Sequence, residues 1–510
     1  MSDDMTALNA VRRGRELSRL ADGARIDLVV IGGGITGAGI ALDAASRGLS
    51  VVLAEKHDLA FGTSRWSSKL VHGGLRYLAS GNVGIARRSA VERGILMTRT
   101  APHLVHAMPQ LVPLLPEMGR GQRALVRVGF AAGDVLRALA GTRASVLPRS
   151  RRVSAGRAAA MVPAVRREGL DGALLAYDGQ LIDDARLVVA VARTAAGHGA
   201  KILTRVSASS ATGTSVVLTD ELSGESLSVS ARAVINATGV WAGEVDTSIT
   251  LRPSRGTHLV FDAAAFGNPS AALTIPIPGE VNRFVFAMPE QLGRVYLGLT
   301  DEEAPGPVPD VPEPTPAEIA FLLDTVNTAL RVQLTTADVT GAYAGLRPLI
   351  DTGEDGRTAD LSRDHAVLES ASGMFSVVGG KLTEYRFMAE DVLDRAVAAR
   401  GLTAGPCRTR DLPLVGAGPG PAAGLAPASL VARFGAESAE VVALARCARP
   451  TEPVAEDIDV TRAEFEFAVT HEGALNVEDI LDRRTRIGLV DTDRQRAARA
   501  AEEFLAARAP

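Results

Sequence analysis

The stretch Asp27–Glu55, DLVVIGGGITGAGIALDAASRGLSVVLAE, decides the fold, because it spells out a strand, a glycine turn, a helix and a second strand without a break. Leu28 to Ile31 is an apolar run of the buried parallel type, and Gly32, Gly34 and Gly37 keep the G-x-G-x-x-G spacing before an Ala-rich helix. Glycine at those places allows a tight turn, close backbone approach to a pyrophosphate and tight packing of helix on strand. The helix start, with Ile35 and Thr36, presents unpaired N–H groups and a partial positive charge. Val51 to Ala54 form the second strand, which ends in Glu55, 18 positions after Gly37, where a carboxylate can accept from a ribose hydroxyl. A cofactor phosphorylated at the 2′ position would set two anions against each other there, so NADP is disfavoured and NAD or FAD remain.

The next segment chooses between those two. Phe61 to Leu78, FGTSRWSSKLVHGGLRYL, is polar and glycine-rich where an NAD domain would run on into another helix and strand. Its small hydroxyl residues Thr63, Ser64, Ser67 and Ser68, with Lys69 and then Gly73, Gly74 and Leu75, suit an extended loop wrapped on a pyrophosphate and the ring system beyond it. That favours FAD. Ala233 to Gly239, AVINATG, reads as a strand ending in a small-residue turn that brings Ala237 and Gly239 to the adenosine half, where Val206 is also placed. Phe375 to Arg386, FSVVGGKLTEYR, reads as a strand, a double glycine and a helix start, so Gly380, Leu382 and Thr383 are expected at the pyrimidine edge of a flavin.

Taken together, IGGGITGAGIALDAASRGLSV, SSKLVHGGLRYL, NATGVWA, RGTHLV, GLRPL, VVGGKLTEYR and EDILDRRTRIGL make the chain resemble the FAD-dependent glycerol-3-phosphate dehydrogenases of the aerobic, quinone-linked kind. The motifs run in the family's order from about Asp27 onward. The resemblance implies a discontinuous Rossmann-like FAD-binding domain of the D-amino-acid-oxidase-like superfamily, an antiparallel-sheet substrate domain and a small helical C-terminal domain. Trp66, Val240 and Glu384 depart from the family pattern, at positions where smaller, proline-like or hydroxyl residues are expected.

The 510 residues, 46% hydrophobic and 4% aromatic, suffice for two or three domains. FAD-binding segments are expected at 24–115, 171–250 and 341–400, a basic amphipathic insert at 116–170, the substrate sheet at 251–340, a Gly/Pro/Ala-rich linker at 401–428 and the C-terminal domain at 429–510. Short strand patterns in Ser254–Thr300 and an amphipathic helix from Pro316 fit this division. A net charge of −4 gives no global reason to expect nucleic acid, and Cys407 and Cys447 stand too far apart for a C-x-x-C pair, so a metal site is not expected. No apolar leader and no run of about 18 apolar residues occurs. A cytoplasmic location follows as the expectation.

One local imbalance stands out. Arg120 to Arg167 holds eleven arginines against one acid, Asp134, and within it Leu125, Val128, Ala132, Val135, Leu136 and Leu139 recur at helical spacing. An apolar stripe flanked by arginines suits a helix lying on an anionic membrane surface. The resemblance points the same way, to a peripheral enzyme on the inner face of the cytoplasmic membrane that passes electrons to a quinone. The oligomeric state stays open, with a homodimer as one assembly.

The chemistry implied by the resemblance is oxidation of the secondary alcohol of glycerol 3-phosphate, so cations must hold a phosphate dianion and a base must take the hydroxyl proton. Motif matching nominates Arg76 and Tyr77 in HGGLRYL and Lys381 in GGKLT for the phosphate. His258 in RGTHL is the expected base, and Arg347 in GLRPL is expected to steady the C2 oxygen. His72 is expected near the flavin, and Arg483, Arg484 and Arg486 are expected to make structural ion pairs. An oxidase that hands electrons to O2 shares every one of these residues and stays open as the alternative.

Overall fold

A computed structural model describes residues 5–75, 77, 81–277, 280, 283–351, 364–422 and 424–507. Two sheets organise it. The first runs, in spatial order, His365–Glu369, Phe375–Gly379, Ser226–Asn236, Ile26–Ile31, Val51–Glu55 and Lys201–Thr204, with strands Val206–Ser209 and Ser215–Asp220 attached through Ser226–Asn236. From Phe375–Gly379 to Lys201–Thr204 the neighbours are parallel, so their carboxyl ends lie along one edge of the sheet and bring Gly32, Glu55, Ala237 and Gly379 there together. In a doubly wound sheet that edge is where a ligand binds.

Helix Ile35–Ser46 lies on this sheet with all its residues but Thr36 buried, which explains a composition of Ala, Gly and Ile with hardly any polar face. Close approach on both sides requires small residues. A β-carbon on Gly39 would fall 2.8 Å from the Tyr385 ring of helix Tyr385–Arg400, which packs alongside. The main core joins both helices to Asp184–Gly197, through residues such as Ile40, Val188 and Val392.

The second sheet has ten strands. Glu302–Glu303, Ser254–Asp262, Arg294–Gly298, Phe284–Glu290, Ala272–Pro276, Val105–Pro113, Ala173–Leu181 and Leu70–Val71 form its spatial order, with Gly341–Arg347 paired to Ser254–Asp262 and Arg151–Val153 to Ala173–Leu181. Antiparallel pairing within 254–298 is as expected from sequence. The domain boundaries at 115 and 171 are not: Val105–Pro113 and Ala173–Leu181 belong to this sheet and join it to Ala272–Pro276. The strand that draws Val105–Pro113 into this sheet, Ala272–Pro276, lies about 160 residues further along the chain, and Ala173–Leu181 joins through Val105–Pro113.

Helix Pro316–Asn327 starts on a capping box between Thr315 and Glu318. Residues 401–427 form no helix or strand where described, and helices Ala428–Phe434, Ser438–Leu444, Arg462–Thr470 and Asp491–Ala506 build the C-terminal region.

The basic insert holds helix Arg120–Leu139. Leu136 is buried against Ala86 and Ala90, and Val126 against Val112 and Leu114, so Leu136 drops out of the expected outer stripe. Leu125, Val128, Val135 and Leu139 stand exposed, the last at 71%. No helix among the described residues is long and apolar enough to cross a membrane.

Candidate functional site

At the first helix start the backbone lies open. Gly34 caps helix Ile35–Ser46 without a side chain, and the Ile35 N–H is met by the Ser64 hydroxyl at 2.9 Å. Gly32 has a φ of +108°, and a β-carbon on Gly37 would lie 1.9 Å from the Gly32 carbonyl oxygen, so neither position tolerates a side chain. Glu55 accepts from the Gly33 N–H at 2.6 Å and the His57 N–H at 2.8 Å, and burial pushes its carboxyl above the usual range. Thr36 is half-buried beside this start, and Val206 is buried at the far end of the same edge, next to the Arg205 N–H that donates to the His57 carbonyl. Ala237 donates its N–H to Ile31, and Gly239 follows it with a φ of +63°. An open helix start, an acid on the next strand and glycines that leave no room for side chains fit the pyrophosphate and ribose of FAD.

The loop after Glu55 collects the remaining pieces. Ser64 touches the helix start, Thr63 donates to the Leu346 carbonyl at 2.6 Å, Ser68 lies 2.9 Å from Nε2 of His258, and Tyr77 lies under the Lys381 ammonium at 4.0 Å. Thus one segment reaches from the nucleotide helix to His258 and Lys381 and to the strand that carries Arg347. Arg76 lies outside the described residues.

His258 and Arg347 share a face of the second sheet. His258 pairs with Tyr343, Gly256 with Gly345 and Ser254 with Arg347 across the same antiparallel ladder, and these alternate positions point one way. Between the two functional groups stand two glycines, and a β-carbon on Gly256 would meet the Arg347 guanidinium at 2.4 Å. The imidazole is 1% exposed, stacked on Tyr343 at 4.7 Å, and its Nδ1 has no partner among the described residues. Burial, then the charges of Lys69 and Arg347, hold its pKa well below 6.5, so the ring is neutral and able to accept a proton. Arg347 is held by Asp301 at 3.2 Å, Ser254 and the Thr300 carbonyl.

Lys381 precedes the short turn Leu382–Glu384 that leads into helix Tyr385–Arg400, and Gly379 and Gly380 make its approach with positive φ. A β-carbon on Gly380 would fall 2.5 Å from the Met388 sulfur. The Lys381 ammonium meets Glu384 at 2.7 Å and the Ser89 hydroxyl at 2.6 Å, and burial lowers its pKa. Leu382 is half-buried and Thr383 buried in that turn.

Lys69, expected on the cofactor loop, has its side chain engaged within the protein. Its ammonium is 1% exposed and donates to Asp184 at 3.0 Å and to the carbonyls of Arg65 and Ser67, and Ser67 itself donates to Asp184. Both side chains brace the loop from beneath. Gly73 and Gly74 are similarly constrained: a β-carbon on Gly73 would strike Arg93, which is paired with Asp178 at 2.6 Å, and Gly74 has a φ of +82° against Ala86. His72 pairs with that same Asp178 at 3.0 Å and is half exposed. Leu75 approaches helix Arg120–Leu139 at Gly133.

The bracing partners Asp178, Asp184, Arg93 and Ser89 are not singled out by sequence. Asp178 and Asp184 stand in AYDGQLIDDARL, where nothing but their apolar surroundings marks them as buried. The C-terminal arginines do make the expected ion pairs. Arg484 and Arg483 converge on buried Asp58, with contacts from 2.7 to 2.9 Å, and Arg486 reaches Asp183 at 3.2 Å and the Arg65 carbonyl at 2.7 Å.

Residues 27–386 match the model of the FAD dependent oxidoreductase family, and residues 407–508 match the C-terminal domain of alpha-glycerophosphate oxidase. A Mycobacterium tuberculosis protein named glycerol-3-phosphate dehydrogenase 1 is 74% identical over 507 residues, 98% of each chain. The solved structure of the glycerol-3-phosphate dehydrogenase from Bacillus halodurans complexed with FAD is 27% identical, with a TM-score of 0.71 over 97% of this chain and 94% of that one. An L-alpha-glycerophosphate oxidase from Mycoplasma pneumoniae, 16% identical, shares the fold with a TM-score of 0.57 over 77% of this chain and 99% of that one. Likeness on this scale along the whole chain, with the open helix start and its loop in place, means that the chain belongs to the family of FAD-dependent glycerol-3-phosphate dehydrogenases.

Proposed function

We propose that this enzyme oxidises sn-glycerol 3-phosphate to dihydroxyacetone phosphate and passes the electrons on to a membrane quinone. FAD bound along the edge of the first sheet would supply the acceptor for the C2 hydride. The observation that carries the reading is the buried, neutral His258 on one sheet face with Arg347, joined through Ser68 to the loop that also bears Tyr77. In this scheme Ser68 donates to Nε2 and turns the ring so that its proton sits on Nδ1. The substrate hydroxyl then replaces the Ser68 O–H at Nε2 and yields its proton there, while Arg347 faces the C2 oxygen as charge develops. Arg76, Tyr77 and Lys381 receive the phosphate, and Thr63, Ser64 and the glycines from Gly32 to Gly37 hold the cofactor's pyrophosphate.

Exposed Leu125, Val128, Val135 and Leu139 with neighbouring Arg120 and Arg127 support a peripheral seat on the anionic inner face of the cytoplasmic membrane, and with it a lipid-soluble acceptor over O2. A homodimer and a substrate region formed by the second sheet complete the reading. Adding glycerol 3-phosphate to the oxidised holoenzyme without acceptor tests the chemistry: the flavin absorbance near 450 nm should bleach within the mixing time of a turnover. No bleaching at saturating substrate would defeat it. Peroxide formed in stoichiometric yield, with no turnover of a quinone analogue, would replace the dehydrogenase by an oxidase.

A further inference from the structure

The Lys381 ammonium is enclosed by groups from three parts of the chain. Glu384 Oε1 lies 2.7 Å from Nζ, the Ser89 hydroxyl 2.6 Å, and the Tyr77 ring 4.0 Å. Ser89 in turn donates to Glu384 Oε1 at 2.5 Å, and Arg88 Nε donates to Glu384 Oε2 at 2.8 Å. Arg88 is also paired with Asp364. Glu384 is 1% exposed and stands at the start of helix Tyr385–Arg400, where the helix dipole favours an anion. It is also one of the three positions at which the sequence departs from the family pattern.

We propose that Glu384 is a positioning residue for substrate recognition: its carboxylate, with the Ser89 hydroxyl, pins the Lys381 ammonium so that one N–H is left for the substrate phosphate. The inference rests on the reading that Lys381 binds that phosphate. An ammonium has three donors and sits on a flexible four-carbon stem. Glu384 and Ser89 take one donor each, and the Tyr77 ring covers a further side of the group. What remains is a single directed donor in place of a mobile charge, and the rotamer entropy is lost before substrate arrives.

Glu384 has a second effect, on charge. Burial and the Arg88 guanidinium both disfavour a protonated Lys381, while Glu384 and Asp364 favour it. For Glu384 burial alone would raise the carboxyl, but Lys381, Ser89 and Arg88 outweigh it and keep the group ionised. Without that carboxylate, two cations would face each other in a half-buried pocket with Asp364 as their remaining acidic neighbour of those named. Lys381 would then lose its proton at a lower pH.

The test compares the FAD-loaded parent with Glu384→Gln and Lys381→Met. Turnover is followed with a soluble dye acceptor, and dihydroxyacetone phosphate binding by calorimetry. Glu384→Gln keeps the side-chain volume and should raise KM and the product Kd about tenfold, as expected for loss of a charge-assisted contact, with kcat within about threefold. The alkaline limb of its kcat/KM profile should move to lower pH. If Glu384→Gln fails to retain FAD, Ser89→Ala removes the bridging hydroxyl alone and should raise both constants about threefold. Lys381→Met raising KM and Kd while the Glu384 or Ser89 variant leaves them at parental values would overturn the positioning role. Lys381→Met leaving both unchanged would overturn the phosphate reading beneath it, and this inference with it.

Discussion

The Ser68 hydroxyl lies 2.9 Å from Nε2 of His258, and this contact ties the loop of the first sheet to the working face of the second. Ser68 belongs to a segment that also caps the nucleotide helix through Ser64, so movement of the loop and orientation of the imidazole are linked. Ser68→Ala should therefore lower kcat/KM about tenfold, the value of an orienting hydrogen bond, while His258→Ala should cost about 10²- to 10⁴-fold. Steady-state kinetics at fixed pH would measure both. A Ser68→Ala enzyme with parental kcat/KM would show that the ring needs no help from the loop.

The pH dependence follows from the burial of that ring. An unfolded His258 titrates near pH 6.5, whereas in the fold burial, Lys69 and Arg347 hold it well below that value. Below about pH 6.5 the unfolded chain binds a proton that the folded chain refuses, so stability falls as pH drops from there towards the folded value. For the proposed role as base the sign is favourable, since the ring stays unprotonated throughout the neutral range. The acid limb of kcat/KM attributable to this group should lie below pH 6.5. A limb at pH 7 or above that disappears in His258→Gln would contradict the burial argument.

The nucleotide half was legible because its signal is local. Gly32, Gly34, Gly37 and Glu55 sit within one strand–helix–strand unit, and each has a steric or hydrogen-bonding reason for its identity that spacing alone conveys. What escaped depends on partners distant in sequence. Nothing near Lys69 in sequence shows that its ammonium meets Asp184, 115 positions on. Val105–Pro113 and Ala173–Leu181 look like nucleotide-sheet strands until Ala272–Pro276 pairs with the first of them. Leu136 obeys the helical period of the outer stripe, yet the period cannot tell which side of a helix with two apolar faces meets the core; Ala86 and Ala90 decide that.

Cofactor retention can be separated from folding at Gly37. A β-carbon there would stand 1.9 Å from the Gly32 carbonyl oxygen, a backbone atom that cannot rotate aside. Gly37→Ala should thus push helix and turn apart where the pyrophosphate approaches, leaving most of both cores intact. The flavin-to-protein absorbance ratio of the purified variant should fall at least tenfold while far-ultraviolet dichroism keeps the parental shape. Full flavin occupancy would show that this turn can relax.

Asp58 links the C-terminal region to the nucleotide loop. Its carboxylate is fully buried three residues after Glu55 and accepts from Arg483 at 2.7 Å and from Arg484 at 2.8 and 2.9 Å. Burial works against its charge, but the two guanidiniums hold its pKa far below the usual carboxylate range. Asp58→Asn removes the counter-charge and leaves two buried cations, with Arg483 still able to reach Asp479 and Arg484 left with the Glu472 carbonyl. A loss of about 3–5 kcal/mol is expected for breaking a buried pair from one side. Denaturant unfolding of the holoenzyme would read it, and a loss below about 1 kcal/mol would mean that water or a shifted acid compensates.

The outer stripe of helix Arg120–Leu139 provides the last prediction. Val128 and Leu139, 65% and 71% exposed, stand with Leu125 and Val135 on a helix whose Arg127 is also exposed. Burying such a stripe at a lipid interface stabilises binding by roughly 25 cal/mol per Å² of apolar surface, and arginines near an anionic leaflet add about 1 kcal/mol each. Replacing Val128 and Leu139 together by Glu removes apolar area and introduces two like charges facing that leaflet. The doubly substituted enzyme should stay in the supernatant when sedimented with vesicles containing anionic lipid at low salt, conditions under which the parent pellets. Raising salt should release the parent only in part, because screening weakens the arginine contribution and leaves the apolar one. Equal pelleting of the two proteins would remove this helix from any role at a membrane.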